Sequence, residues 1–91
     1  MKVNFFKNGN ISMKADKEDY RDLEYCPEIV LLHYLVDFYN FVVIKNEYYL
    51  ENKDIKYIGE TYNKKNNKTY KITEKELDSL RNNKSIKIIP M

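Results

Sequence analysis

The residues able to do chemistry in this 91-residue chain are few: one cysteine and one histidine, Cys26 and His33, with Asp37 four residues further on. A thiol, an imidazole and a carboxylate are the parts of a nucleophile, its base and an orienting acid, and at about 100° per residue they share one helical stripe. The spacing works against that reaction. Seven residues at about 1.5 Å each put Cys26 about 10 Å along the axis from His33, beyond the ~3 Å that a proton transfer needs. Only His33 and Asp37, at i and i+4, can touch. Cys26 beside a helix start has the position of an activated thiol, and equally that of a small buried residue before Pro27.

Other reaction classes find even less. A metal site needs several Cys, His or clustered carboxylate ligands, and Asp16, Glu18, Asp19 and Asp22 do not form a calcium-loop frame. Gly9 and Gly59 are the only glycines, too few for a phosphate cradle. A small nuclease toxin would need acid–base groups such as His33 and Tyr70, whose spacing gives it no support. No cofactor and no metal are expected, and the chain is not expected to be an enzyme.

Binding chemistry is better represented. In "YNKKNNKTYK", Lys64, Lys65, Lys68 and Lys71 lie near Tyr62 and Tyr70, so lysines could neutralise phosphates while tyrosines stack on unpaired bases. The same segment reads as a solvated turn whose lysines keep sheet edges from pairing wrongly. Small net charge, only two Arg and an acidic middle third weigh against nucleic acid. Nine tyrosines offer a second surface: Tyr48, Tyr57, Tyr62 and Tyr70 fall at alternating or apposed strand positions, where large amphipathic rings suit a protein interface. Codon bias and β propensity account for tyrosines equally well.

The elements that must position these groups follow from pattern. "KVNFFKNGNISMKA" reads as a hairpin turning on Asn8-Gly9, a pair suited to the two positive φ values of a type I′ turn. Residues 16–25 read as a short polar helix with Tyr20 and Leu23 on one face, and Pro27 opens a second helix. From Pro27 to about Asn40 that helix is apolar over most of its circumference, with His33, Asp37 and Asn40 as a narrow wet seam. It is too short and too polar for a membrane span. "FVVIK", "EYYLE", "IKYIGETY" and "TYKIT" read as a four-strand meander with joints at 45–47, 52–54 and 63–68, and "FVVIK" as a central strand. "TEKELDSL" carries a capping box, Thr73 with Glu76, and "SIKIIP" closes the chain as a strand.

Ordered this way, the elements predict a single α+β domain over residues 1–91: a small antiparallel sheet made of the N-terminal hairpin and the C-terminal meander, one long apolar helix across it, and a short second helix near the C-terminus. A sheet covers only one side of a helix, and Ile29, Leu32 and Val36 lie well round the axis from Leu31 and Phe38. The hairpin, the second helix, a twin subunit or a foreign protein must cover the rest.

Composition narrows the setting. Lys, Asn, Ile and Tyr make up nearly half of the chain, a bias of AT-rich codons and hence of a low-GC genome, phage, plasmid or virus. Net charge is only +2 but polarised: residues 1–15 hold three lysines and no acid, residues 16–44 seven acids against two bases. Such asymmetry can orient a charged partner. One cysteine allows no internal disulfide, and "MKVNFFKNGN" lacks the apolar run of a secretory signal, so the cytoplasm is the expected compartment. The function expected is a small non-enzymatic protein-binding module, an inhibitor of a host protein of the anti-defence type encoded by a phage or mobile element. A homodimer, and a nucleic-acid binder using the lysine hairpin at residues 62–71, are the alternatives.

Overall fold

A computed structural model describes residues 1–56, 63–64 and 67–91, the side chains of residues 20, 22, 56, 63 and 64 excepted. The elements are β1 (Lys2–Phe5), β2 (Ile11–Lys14), a 3-10 turn (Lys17–Asp19), α1 (Tyr20–Tyr25), α2 (Pro27–Tyr39), β3 (Phe41–Lys45), β4 (Tyr49–Asn52), β5 (Ile55–Lys56), β6 (Asn63–Lys64), β7 (Thr69–Lys71), α3 (Glu74–Arg81) and β8 (Ile86–Ile88). The architecture is α+β with antiparallel sheets, as the pattern predicts. The strands divide into two three-stranded sheets, β1-β2-β8 and β3-β4-β7, with β5-β6 as a separate pair.

The hairpin forms with a different turn. Only Gly9 of the Asn8-Gly9 pair has positive φ, at 94°. Gly9 N–H donates to Phe6 O and Phe6 N–H to Asn10 O, both at 2.9 Å. This is a three-residue loop whose last residue supplies the left-handed conformation, in place of the two-residue type I′ turn. Asn8 instead caps the turn with its side chain, Oδ1 accepting from Asn10 N–H at 3.0 Å. Gly9 is packed in as well: a Cβ there would sit 2.9 Å from Lys68 Cδ and 3.1 Å from Pro90 Cγ.

Helix α2 begins and ends where its chemistry says. Pro27 occupies the first turn, where its missing N–H costs nothing, and Asn40 closes the helix in the left-handed region at φ 59°. Its inner stripe, Leu31 and Leu35, is fully buried, while Ile29, Val36 and Phe38 stay exposed at 60, 38 and 63%. The second side of the helix is thus only partly covered, by Phe5 of β1 against Tyr39 with ring centres 4.8 Å apart and by contacts with α1 and α3. α3 forms with its capping box closed, the Glu76 carboxylate accepting from Thr73 N–H at 2.9 Å and from the Thr73 hydroxyl.

The meander departs from expectation in two places. "FVVIK" is β3, which among the described residues pairs only with β4 and so lies at the edge of that sheet, because β7 takes the other side of β4. The expected 63–68 joint begins instead in a short ladder, Ile55 opposite Lys64 and Lys56 opposite Asn63, while residues 57–62 of the expected strand lie outside the described residues. The C-terminal segment joins the two large sheets: Pro90 bridges Tyr70, and Met91 N–H donates to Thr69 O at 2.8 Å. Both sheets and the helices contribute to one core that includes Phe5, Ile11, Leu23, Leu35, Leu50 and Leu80. Each such fully buried side chain stabilises by about 1.5–3 kcal/mol before entropy is counted.

Candidate functional site

The chemical residues of α2 meet as far as their spacing allows. His33 Nδ1 lies 2.7 Å from Asp37 Oδ2, one turn apart, with the two side chains 57 and 53% exposed. Water screens such a pair, so it orients the imidazole without isolating it. Cys26 is half-buried at the start of α2, its carbonyl accepting from Val30 N–H at 3.2 Å. A groove of about 510 Å³ between α1 and α2 is lined by Arg21, Tyr25, Cys26, Ile29, Val30 and His33. Among the described residues no group of His, Cys, Asp or Glu could hold a metal ion, and no helix is long and apolar enough to cross a membrane.

Of the four expected contact tyrosines, Tyr48 and Tyr70 are described, and they do not share a surface. Tyr70 is fully buried, its hydroxyl donating to Gly9 O at 2.5 Å and its ring centre 5.6 Å from that of Phe41. Its place opposite Leu50 on the inner side of the sheet makes it an internal joint, which corrects its assignment as a contact residue. Tyr48 is half-buried at a turn, with φ 61° and its carbonyl accepting from Ile72 N–H at 3.0 Å. Tyr57 and Tyr62 lie outside the described residues.

Of the expected lysine cluster, the described side chains Lys68 and Lys71 go to different places. Lys68 Nζ donates to Asn8 O at 2.8 Å, tying its segment to the first hairpin. Lys71 lies over the Tyr49 ring, 5.4 Å from its centre, and Lys45 lies over the same ring at 5.2 Å. The backbone of Lys64 belongs to β6, and Lys65 lies outside the described residues.

Pattern reading missed the surface that β3 presents. After buried Phe41, the strand shows solvent Val42, Val43 and Ile44, each 42–44% exposed. A register shift between Val43 and Lys45 marks a bulge that breaks their alternation. Phe38, at the end of α2, precedes this strand, and its ring, 63% exposed, packs on its helix neighbours Tyr34 at 5.5 Å and His33 at 5.7 Å. A β-branched run looks the same at a sheet's centre or edge, so only the strand order could have revealed it.

A second cluster fixes the chain start. The Met1 ammonium lies 2.8 Å from Asp16 Oδ2 and 3.0 Å from Asp19 Oδ2, and donates to Tyr34 Oη at 3.4 Å. Desolvation alone would lower its pKa, but the hydrogen bonds to Asp16, Asp19 and Tyr34 outweigh it and push the value up to about 11. The same bond holds the Asp16 carboxyl below its ordinary range. This is a structural clamp between β1, the 3-10 turn and α2.

Comparison with known proteins finds no matching family model, no matching curated protein and no matching solved structure.

Proposed function

We propose that the chain is a non-enzymatic protein-binding module that takes an extended segment of a host protein as an added strand along β3. The observation that supports this reading is the edge of β3, with three consecutive exposed apolar residues on a strand that, among the described residues, is paired on one side only. Edge strands usually carry lysine, proline or an inward charge that discourages pairing, and strand addition supplies affinity through main-chain hydrogen bonds. Phe38, shortly before β3 in the chain, is a further exposed apolar ring, and aromatic anchors of this kind dominate interface energetics. Lys45 and Lys71, both over Tyr49, place positive charge beside the end of the strand, so an antiparallel guest carries an acid near its own start. The chain's AT-coded composition supports a phage or mobile element as its source, with inhibition of the host protein as its effect.

Capture from a low-GC bacterial lysate, read by quantitative mass spectrometry, compares the wild-type chain with the Val42→Lys/Ile44→Lys variant. Both positions are exposed, so the variant keeps its core. A protein enriched by the wild type and lost from the variant is expected, with slowed amide exchange at residues 42–45 in its presence. Equal enrichment by both, no enrichment, or unprotected β3 amides in the complex overturns the reading. A concentration-dependent dimer abolished by the same substitutions would assign the edge to a second copy instead.

A further inference from the structure

On the β1-β2-β8 sheet, Val3, Phe5, Ile11, Met13, Ile86 and Ile88 are buried, so the alternate residues form an outer face turned away from the core. The registers order that face: Lys2 stands directly opposite Lys14, and Asn4, Ser12 and Lys87 lie side by side across the three strands. Like charges directly opposite one another destabilise a strand pair, so Lys2 and Lys14 cost stability unless an anion lies over them. The strands themselves supply no counter-charge: residues 1–15 and 79–91 together hold six basic side chains and no acidic one. Asp16, which follows β2, is bound by the Met1 ammonium at 2.8 Å and also interacts with Lys2, so it offsets part of the Lys2 charge at that end of the face. At the other end of the face Phe6 is 46% exposed. It borders a hollow of about 270 Å³ that it shares with Asn8, Asn10, Ser12 and Lys87.

We propose that this outer face binds single-stranded nucleic acid, with Lys2, Lys14 and Lys87 on the phosphates and the Phe6 ring stacking on a base at the hollow. Positive charge alone would suit any polyanion. The exposed ring beside amide and hydroxyl groups is what favours an unpaired strand, since a duplex keeps its base faces covered. Lys14 and Lys87, two residues out of register on adjacent strands, have Cα atoms roughly 8 Å apart, which spreads the charge along a track. This surface is distinct from the β3 edge, and neither proposal depends on the other.

Fluorescence anisotropy with a labelled 12-nucleotide dT or U oligomer tests it. Three phosphate contacts predict a slope of about −2 in log affinity against log salt, or an affinity about 15- to 20-fold weaker at 200 mM than at 50 mM salt. The Lys14→Gln/Lys87→Gln variant should flatten the slope to about −0.7, and Phe6→Ala should weaken binding by about five-fold or more at unchanged slope. All three substitutions are at exposed positions, and unchanged circular dichroism melts confirm the fold. No binding at 50 mM salt overturns the proposal. So does equal affinity for a duplex or for heparin with no effect of Phe6→Ala, which would mean charge alone. Loss of oligomer binding in the Val42→Lys/Ile44→Lys variant, with the lysine variants unaffected, would move the site off this face and equally overturn it.

Discussion

In the β1-β2-β8 sheet the inner face is wholly apolar and Lys2, Lys14 and Lys87 point to solvent, whereas in the β3-β4-β7 sheet the edge strand exposes Val42, Val43 and Ile44 and the middle strand buries Asn52. The first sheet follows the two-residue alternation on every strand. The second breaks it in both directions, apolar outside and polar inside. Local pattern and global fold agree in natural proteins except where something else is being served. The first sheet's inner face is therefore read as structure, and the second sheet's β3 edge as a surface retained for use.

The largest effect that can test this contrast lies within β3 itself. Phe41 is 2% exposed and packs on Tyr70 and Phe5, with ring centres 5.6 and 6.4 Å away. Phe41→Ala should cost about 3–5 kcal/mol, a large share of the roughly 5–15 kcal/mol by which such domains are stable. Ile44→Ala, three residues on and 44% exposed, should cost less than about 1 kcal/mol. Urea melts of both variants decide it. Equal costs would mean that the outer part of β3 is packed after all, and the free edge would be lost as an idea.

A smaller effect probes the first sheet's anchor. The Met1 ammonium ties the start of β1 to Asp16, Asp19 and Tyr34, and its pKa rises from an ordinary 8.0 to about 11. A raised folded-state pKa gives stability that is fully present below pH 8 and lost as pH climbs toward 11. The melting temperature should therefore hold steady up to about pH 8 and then fall. Lysines and tyrosines also titrate near pH 10, so an Nα-acetylated chain is the control. It should melt lower at pH 7 and lose less between pH 8 and 11. Identical profiles would remove the clamp.

What the sequence shows of this molecule is what short-range chemistry decides. Pro27 and Asn40 bracket α2, Thr73 and Glu76 cap α3, and the hairpin around Gly9 forms, because each depends on residues only a few places apart. Strand order is different. Whether "FVVIK" lies at the centre or the edge depends on β7 reaching β4 from about twenty residues away, and on Pro90 bridging Tyr70. Tyr70 and Lys68 show the same dependence: they are drawn to the Gly9 turn, some sixty residues away in sequence, where both bond to backbone carbonyls. Alternation shows which side of a strand a residue takes, but not what covers that side.

The smallest predicted effect concerns the second sheet's other irregularity. Asn52 is fully buried, and among the described residues neither its side-chain nitrogen nor its oxygen has a hydrogen-bond partner, although its backbone N–H donates to Lys68 O at 3.1 Å. A buried amide left unsatisfied costs about 1–3 kcal/mol, whereas an apolar group of similar size at that position costs nothing of the kind. Valine is close to asparagine in bulk and prefers strands. Asn52→Val should therefore stabilise by about 1 kcal/mol, raising the melting temperature by about 4–8 °C. Asn52→Asp should do the opposite, since it buries a charge opposite Phe41. A loss on Asn52→Val would mean that the amide holds a bound water, and the irregularity of β4 would then be hydration rather than frustration. The exposed edge of β3 would be unaffected, because its apolar residues face solvent whatever Asn52 does inside.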